Sequence, residues 1–417
     1  MPSPDPNDAD SAADNAAPGR WLAIVGIGED GLDGLSATAR RLIEEAEAVF
    51  GGRRHLALAA AAIRGEAHPW PSPFDVRDVL ALRGQPVVVL ASGDPFHYGV
   101  GPLLSQAIPY DEMVVLPAPS AFSLAAARLG WPLADTVLLS LHGRPIDLVR
   151  PHLQPGAAIL ALTSDGAAPA AIAALLTDAG FGPSRIAVLE ALGGPDEQIR
   201  SAPAAAFDID DIAPLNTLAI LVVPGPDARI VPLVPGLPDE MYAHDGQITK
   251  RAIRAMTLAA LSPRRGERLW DIGAGSGSIG IEWMLADRSL RAVAIEADGE
   301  RARRIAHNAA VLGVPDLLIL HGHAPRALDG LDPPDAVFLG CGAGDPELVD
   351  AALAALRPGG RLVVNAVTLA SEAALLALHA VLGGTLTRLA VSHAETLGAE
   401  KGWRPAMPVT QWAWTKP

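Results

Sequence analysis

RLWDIGAGSGSIG, Arg268–Gly280, is the stretch on which the fold turns. An apolar run delivers an acid, Asp271, and Gly273, Gly275 and Gly277 follow at alternate positions. That spacing describes a buried strand ending in a tight turn that feeds a helix. The glycines let the backbone pass close to a ligand at the helix N-terminus. The next apolar run, RAVAIEAD, brings Glu296 about 20 residues further on, where an acidic side chain meets ribose hydroxyls. ITKRAIRAMTLAAL before the motif reads as a helix, as do GERARRIAHNAAVLG, PELVDAALAAL and ASEAALLALHAVL after it. LLILHG, DAVFLG and RLVVNAV read as strands, with final strands near TRLAVSHAE and TQWAWTKP. The expectation is a doubly wound α/β sheet over residues 241–417.

Upstream, PGPDARIVPLVPGLPDEMY (Pro224–Tyr242) puts five prolines in fifteen positions, Pro224 to Pro238. Proline at that density defeats both helix and interior strand, so residues 226–240 read as a linker. Residues 20–225 alternate again. WLAIVGIG is a strand running into a glycine turn, and LSATARRLIEEAEAVFGG (Leu35–Gly52) has helical periodicity. QPVVVLASGDP, EMVVLPAPSAFSLAAARLGW and DTVLLSLHGRP each lead with a strand, and the alternation continues through RIAVLEALGGPDEQI to TLAILVVPG. This half has its own glycine turn, GIGEDG (Gly26–Gly31), which fits G-x-G-x-x-G but lacks an acidic partner at the end of the second strand. Residues 1–19, acidic and rich in Pro, Asp and Ala, read as a disordered tail.

At roughly 100–200 residues per domain, 417 residues make two domains. The net charge of -15, with only Lys250, Lys401 and Lys416 as lysines, argues against nucleic-acid binding. It leaves room for a small anionic substrate in a locally basic pocket. A single cysteine, Cys341, excludes an internal disulfide and a cysteine-only metal site, and no metal is expected. It fits a reducing cytoplasm. No uninterrupted apolar run of about 18 residues suggests a membrane span.

An NAD site is the rival reading of the second loop. Its D-x-G-x-G-x-G pattern, with the acid opening the loop, resembles Rossmann-like S-adenosylmethionine (SAM) methyltransferases. GHAPRAL (Gly322–Leu328) after the third strand, DAVFLGCG (Asp335–Gly342) and LRPGGRLVV (Leu356–Val364) agree with that class. In the first half GIGEDG is followed in order by SGDP (Ser92–Pro95), PSAFSLAAARLGW (Pro119–Trp131) and SLHGRP (Ser140–Pro145). This set resembles the tetrapyrrole methylase family, which implies a two-lobed α/β fold with SAM between the lobes. There the first glycine turn lines the substrate trough and grips no dinucleotide. LGGPDEQIR (Leu192–Arg200), LNTLAI (Leu215–Ile220) and the fused HDGQITKRAIRAMTLAAL (His244–Leu261) narrow the match. From about Trp21 the whole chain resembles the family of bifunctional precorrin C5,15-methyltransferases (decarboxylating) of cobalamin biosynthesis.

The resemblance implies two SAM sites, one per domain, and a polycarboxylate tetrapyrrole substrate, precorrin-6B. It implies methylation at C5 by the first domain, and methylation at C15 with loss of the ring C acetate carboxyl by the second, giving precorrin-8X. It also implies a homo-oligomer. Cofactor contacts fall on Gly93, Asp94, Ser120, Ala121 and Leu141 in the first domain. In the second they fall on Thr249, Gly273, Ala274, Gly275, Ser276, Gly277, Glu296 and Ala324. His323 stands where an acid often receives the adenine amino group, and Cys341 where a small residue is usual; Cys341 reads as packing. Arginine reads carboxylates through its bidentate fork, so Arg144 with His142, and Arg251 and Arg254, are the substrate-facing candidates. Asp94 is a candidate for proton handling or for capping its turn. Tyr242, His244 and Lys250 stand at the domain entrance. The competing readings are a SAM-dependent methyltransferase of RNA or of another tetrapyrrole, and a SAM-binding protein with one inactive domain.

Overall fold

The structure is a computed structural model that describes residues 19–417. The expected tail over residues 1–19 lies, except for Gly19, outside the described residues. By contacts the chain divides into two units. One runs to Arg144 and includes Pro155–Ala228; the other comprises Pro145–Gln154 and Arg229–Pro417.

The first unit holds two sheets. Strands β1 (Leu22–Ile27), β2 (Ala48–Gly51), β3 (Glu66–Pro69), β4 (Val87–Ser92) and β5 (Met113–Leu116) form a parallel sheet in the order β3-β2-β4-β1-β5. LAIVGI and VVVLAS are buried almost throughout, as parallel strands covered on both faces are. Their register, Leu22↔Val87 to Ile27↔Ser92, brings the turns after β1 and β4 side by side. The helix expected over Leu35–Gly52 stops at Glu45, after a start capped by Ser36, whose Oγ accepts the Ala39 N–H at 3.2 Å. Ala48–Gly51 is strand β2 instead, because pairing with β3 and β4 buries Val49 and Phe50.

The second sheet has β6 (Thr136–Ser140), β7 (Ala158–Leu162), β8 (Arg185–Glu190), β9 (Gln198–Pro203) and β10 (Asn216–Leu221) in the order β6-β7-β10-β8-β9. Only β6 and β7 pair in parallel. The alternation expected through RIAVLEALGGPDEQI gives way to an antiparallel pair, β8 and β9, joined by the LGGPDE turn.

In the second unit, β11 (Arg268–Ile272), β12 (Arg291–Glu296), β13 (Leu318–His321), β14 (Ala336–Leu339), β15 (Arg361–Ala366), β16 (Thr385–Leu389) and β19 (Val409–Thr415) make one sheet. Its order is β13-β12-β11-β14-β15-β19-β16, and β19 runs antiparallel between β15 and β16. β17 (Ser392–Leu397) and β18 (Glu400–Pro405) form a separate antiparallel pair. The strand order reverses beside β11, so the glycine turn opens at the switch point where doubly wound sheets bind ligands. No helix of the described residues is long and apolar enough to cross a membrane.

The proline-rich segment, expected as a linker, is packed from Arg229 onward. Val231 and Leu237 are buried in the same core as Leu258 and Trp283. Prolines lack an N–H to satisfy. The donors between them, Gly236 N and Leu237 N, bond the buried Glu282 carboxylate at 2.6 and 3.0 Å. Glu282 also accepts from Tyr242 Oη at 2.8 Å and Arg254 Nε at 2.5 Å. Glu282→Leu orphans all four donors at once and is expected to cost about 3–5 kcal/mol in chemical denaturation followed by tryptophan fluorescence. A loss under about 1 kcal/mol would show that the carboxylate is dispensable.

Candidate active site

At the switch point of the second unit the glycine turn has a specific wiring. Gly273, Gly275 and Gly277 all have φ in the left-handed region, at 71°, 60° and 77°. Gly273 N and Ala274 N donate to Ile295 O at 2.9 and 3.1 Å, and Gly275 N donates to Glu296 Oε2 at 2.8 Å. The helix that follows, Ser278–Ala286, meets a protein carboxylate near its N-terminus: Asp271 Oδ2 accepts the Gly280 N–H at 2.9 Å. A dinucleotide's pyrophosphate wants these N–H groups and this positive helix end for itself. Here an acid of the chain has taken that place, so the turn suits a cofactor that presents no phosphate.

Burial, reinforced by the Glu296 charge, pushes Asp271 up to about 7 against the Gly280 hydrogen bond. Its Oδ1 has no hydrogen-bond partner among the described residues. Glu296 is buried at the end of β12, with Oε1 accepting the Asp298 N–H at 3.0 Å. Each Glu296 oxygen keeps acceptor capacity beyond the one N–H it takes.

A cavity of about 950 Å³ opens above the turn, at the upper end of the roughly 300–1,000 Å³ of small-molecule sites. Of the expected cofactor residues, Thr249, Gly273, Ala274, Gly275, Glu296 and Ala324 line it, and so does Arg251. Ser276 and Gly277 do not. Ser276 is buried, and a Cβ on Gly277 would come within 2.7 Å of Ile305 on the helix Gly299–Val311, so this glycine serves helix packing. His323 lines the cavity where an acid was the commoner expectation. Cys341 also lines it, and a Cβ on Gly273 would fall 2.3 Å from its Sγ. Burial and the charges of Glu296 and Asp271 raise the thiol's pKa, so it stays protonated and acts as wall.

Arg254 is corrected by the structure. It is fully buried, bonded to Glu282 and, at 3.1 Å, to Asp239, with further bonds to Leu237 O and Thr249 O. It is a clamp within the fold and cannot read a substrate. Tyr242 is equally structural, and His244 Nδ1 accepts the Gly246 N–H within its own turn. Lys250 lines the cavity, and among the described residues neither it nor Arg251 enters an ion pair. Asn365, His393 and Met407 line it too. The sequence offered no signal for any of the three, and the last two arrive from the chain around the β17–β18 pair.

In the first unit the glycines answer to backbone crowding. A Cβ on Gly26 would lie 1.8 Å from Gly93 O, and one on Gly93 would lie 2.8 Å from Ser120 Cα. The turns after β1, β4 and β5 therefore converge, which gathers Gly93, Asp94, Ser120 and Ala121. Asp94 Oδ1 accepts the Phe96 N–H at 2.9 Å, the turn-capping alternative. Ser120 caps the helix Ala121–Leu129. Leu141 is buried, its N–H on Leu162 O at 2.8 Å, and it follows β6 together with the exposed His142 and Arg144. His142 Nδ1 meets Thr163 O at 3.0 Å, which leaves Nε2 to accept. Sequence reasoning missed a cluster beside GIGEDG: Glu29 pairs with Arg54, and Arg54 and His55 both reach Ser92 Oγ, at 2.9 and 2.8 Å. Burial, then the Arg54 charge, lowers the His55 pKa to about 4.

Two outcomes test this geometry. Gly273→Ala is expected to weaken SAM binding at least about tenfold in calorimetry, through the Cys341 contact and a left-handed penalty of about 1–2 kcal/mol. Adding Cys341→Ala should restore part of it; wild-type affinity in the single variant would remove the argument. For Asp271 the folded pKa of about 7 lies above the ordinary 3.8. The folded state holds the extra proton, so this contribution is complete below about pH 4 and is lost as pH rises through about 7. Asp271→Asn should flatten the fall in melting temperature between about pH 5 and 8; an unchanged slope would rule this carboxyl out as its source.

Residues 22–208 match the family described as Tetrapyrrole (Corrin/Porphyrin) Methylases, and residues 240–416 the one described as Precorrin methyltransferase domain. A precorrin-6Y C(5,15)-methyltransferase (decarboxylating) from Sinorhizobium sp is 57% identical, with 95% of this chain and 96% of that protein covered. A cobalt-precorrin-6B C(15)-methyltransferase (decarboxylating) from Salmonella typhimurium is 34% identical, covering 41% of this chain and 91% of its own. A cobalt-precorrin-7 C(5)-methyltransferase from the same organism is 30% identical, covering 48% and 98%.

Proposed function

Since the chain belongs to the family of precorrin-6Y C5,15-methyltransferases (decarboxylating), we propose that its two units each hold one SAM and divide two methylations between them. The protein is a SAM-dependent methyltransferase of cobalamin biosynthesis. It methylates precorrin-6B at C5 and C15 and removes the ring C acetate carboxyl, giving precorrin-8X. The first unit takes C5, and the second takes C15 and the decarboxylation. Shorter relatives named for each activity separately support this division.

The observation that carries the reading is the cavity above the glycine turn, lined by Glu296 and by Lys250 and Arg251, which bring charge with no ion-pair partner among the described residues. When bound, SAM supplies an electrophilic methyl group. The chain's own work is alignment, since an enamine-like bridge carbon is already nucleophilic. Thr249, the turn Gly273–Gly275, Glu296 and Ala324 hold the cofactor. Lys250 and Arg251 fix peripheral carboxylates, Arg251 through its fork. In the first unit Gly93, Asp94, Ser120, Ala121 and Leu141 shape the cofactor site, while His142 and Arg144 face the substrate. The charge of -15 disfavours an RNA substrate. A homo-oligomer is part of the same reading and rests on the family resemblance alone.

Mass spectrometry of precorrin-6B incubated with SAM tests the reading. The unsubstituted chain is expected to add two methyl groups and lose one carbon dioxide, and Glu296→Ala to add one methyl and keep the carboxyl. If neither changes the substrate while both bind SAM, the substrate assignment fails. If Glu296→Ala still performs both steps, the division between units fails.

A further inference from the structure

Asn365 is the penultimate residue of β15 and lines the cavity of the second unit. Behind it stand Thr257 of the helix Arg251–Leu261 and Gln411 of β19, both buried, neither lining the cavity. Thr257 Oγ1 donates to Ile253 O at 2.8 Å and accepts from Asn365 Nδ2 at 2.9 Å and Gln411 Nε2 at 3.2 Å. Gln411 Nε2 also donates to Asn365 Oδ1 at 3.0 Å. The Asn365 oxygen and one N–H are thereby committed, and the amide is held in one orientation. Its second N–H has no partner among the described residues. Polar side chains inside a core are worth keeping when fully bonded. Among the side-chain donors of this cluster, one N–H is left without a partner among the described residues, and it belongs to the cluster's member at the cavity wall.

Resting on the function proposed above, we propose that Asn365 binds the ring acetate carboxylate that leaves as carbon dioxide. In that step the bond between the acetate methylene and the carboxylate carbon breaks. Its electron pair moves into a protonated imine of the macrocycle, carbon dioxide departs, and a proton adds to the exocyclic carbon to complete a methyl group. The carboxylate loses its negative charge on the way to the transition state. A cation paired with it would stabilise the ground state more than the transition state and slow the step. An uncharged donor orients the group without that penalty. Of the cavity's cations, Lys250 and Arg251 stand at the start of the helix that carries Thr257, Arg251 six residues before it and about 9 Å away in helical rise, while Arg301 stands on the helix Gly299–Val311 and is paired with Asp245. Wall residues such as Ile253, Phe338, Val367 and Val409 add no charge. The arrangement separates carboxylates to be gripped from the one to be released.

The test uses the full chain with SAM and precorrin-6B, and mass spectrometry to count methyl groups gained and carbon dioxide lost. In Asn365→Ala, decarboxylation is expected to fall about five- to tenfold more than methylation, leaving a methylated product that keeps its carboxyl. Asn365→Ser, a smaller neutral donor, should recover part of the ratio. Thr257→Val, which removes one hydrogen bond from the cluster that orients the amide, should shift the ratio in the same direction but by less than Asn365→Ala. Parallel loss of both steps in Asn365→Ala and Asn365→Ser, or a shifted ratio in Thr257→Val equal to that in Asn365→Ala, overturns the proposal. An unsubstituted chain that performs neither step overturns the underlying functional reading instead.

Discussion

The Glu282 carboxylate is the point through which the second unit is assembled. It is 4% exposed and takes hydrogen bonds from Gly236 N, Leu237 N, Tyr242 Oη and Arg254 Nε. Those four donors lie on the proline-rich segment, on the chain just beyond it and on the helix Arg251–Leu261. Arg254 in turn bonds Thr249 O, so the same buried pair fixes the residues that roof the glycine turn. A buried ion pair is costly to desolvate and holds only when its remaining donors and acceptors are met. Here they are met largely by backbone groups. The pair thus specifies where the chain enters the unit as much as it adds stability.

A second constraint is the placement of acids around the turn. Asp271 caps the helix Ser278–Ala286 from beneath, and Glu296 takes the Gly275 N–H from the side. Burial, with the Glu296 charge added to it, raises the pKa of Asp271. What the arrangement secures is a loop whose donors are already used, beside an acid that can still accept hydroxyls. This accounts for a nucleoside site with no provision for phosphate.

The two glycine loops of the chain resemble each other in spelling and differ in physics. In DIGAGSG the glycines adopt left-handed φ, and one lies against Cys341. In GIGEDG, Gly26 is required because Gly93 O would lie 1.8 Å from any Cβ there. The side chains of that loop turn to the protein, Glu29 to Arg54 and Asp30 toward Gly28 and Gly34. One loop makes room for a ligand and the other for a neighbouring turn.

The positions of most strands of the second unit, its glycine turn and the acids at positions 271 and 296 were legible because they follow from local periodicity and from glycine's unique access to φ > 0. Other features were beyond that reach. Arg251 and Arg254 lie three apart, on neighbouring positions of one helix side, so patterning cannot say which is buried. Packing buries Arg254 against Glu282 and leaves Arg251 at the cavity. Thr257, Asn365 and Gln411 are up to 154 positions apart and meet only because β19 inserts beside β15. The proline-rich segment reads as a tether until a carboxylate elsewhere in the chain takes its N–H groups. By itself the sequence determined where the backbone turns and which chemistry each turn admits, since these depend on neighbours along the chain. Only the tertiary structure decided which charges are buried and which groups face the cavity, since those depend on partners brought together by the fold.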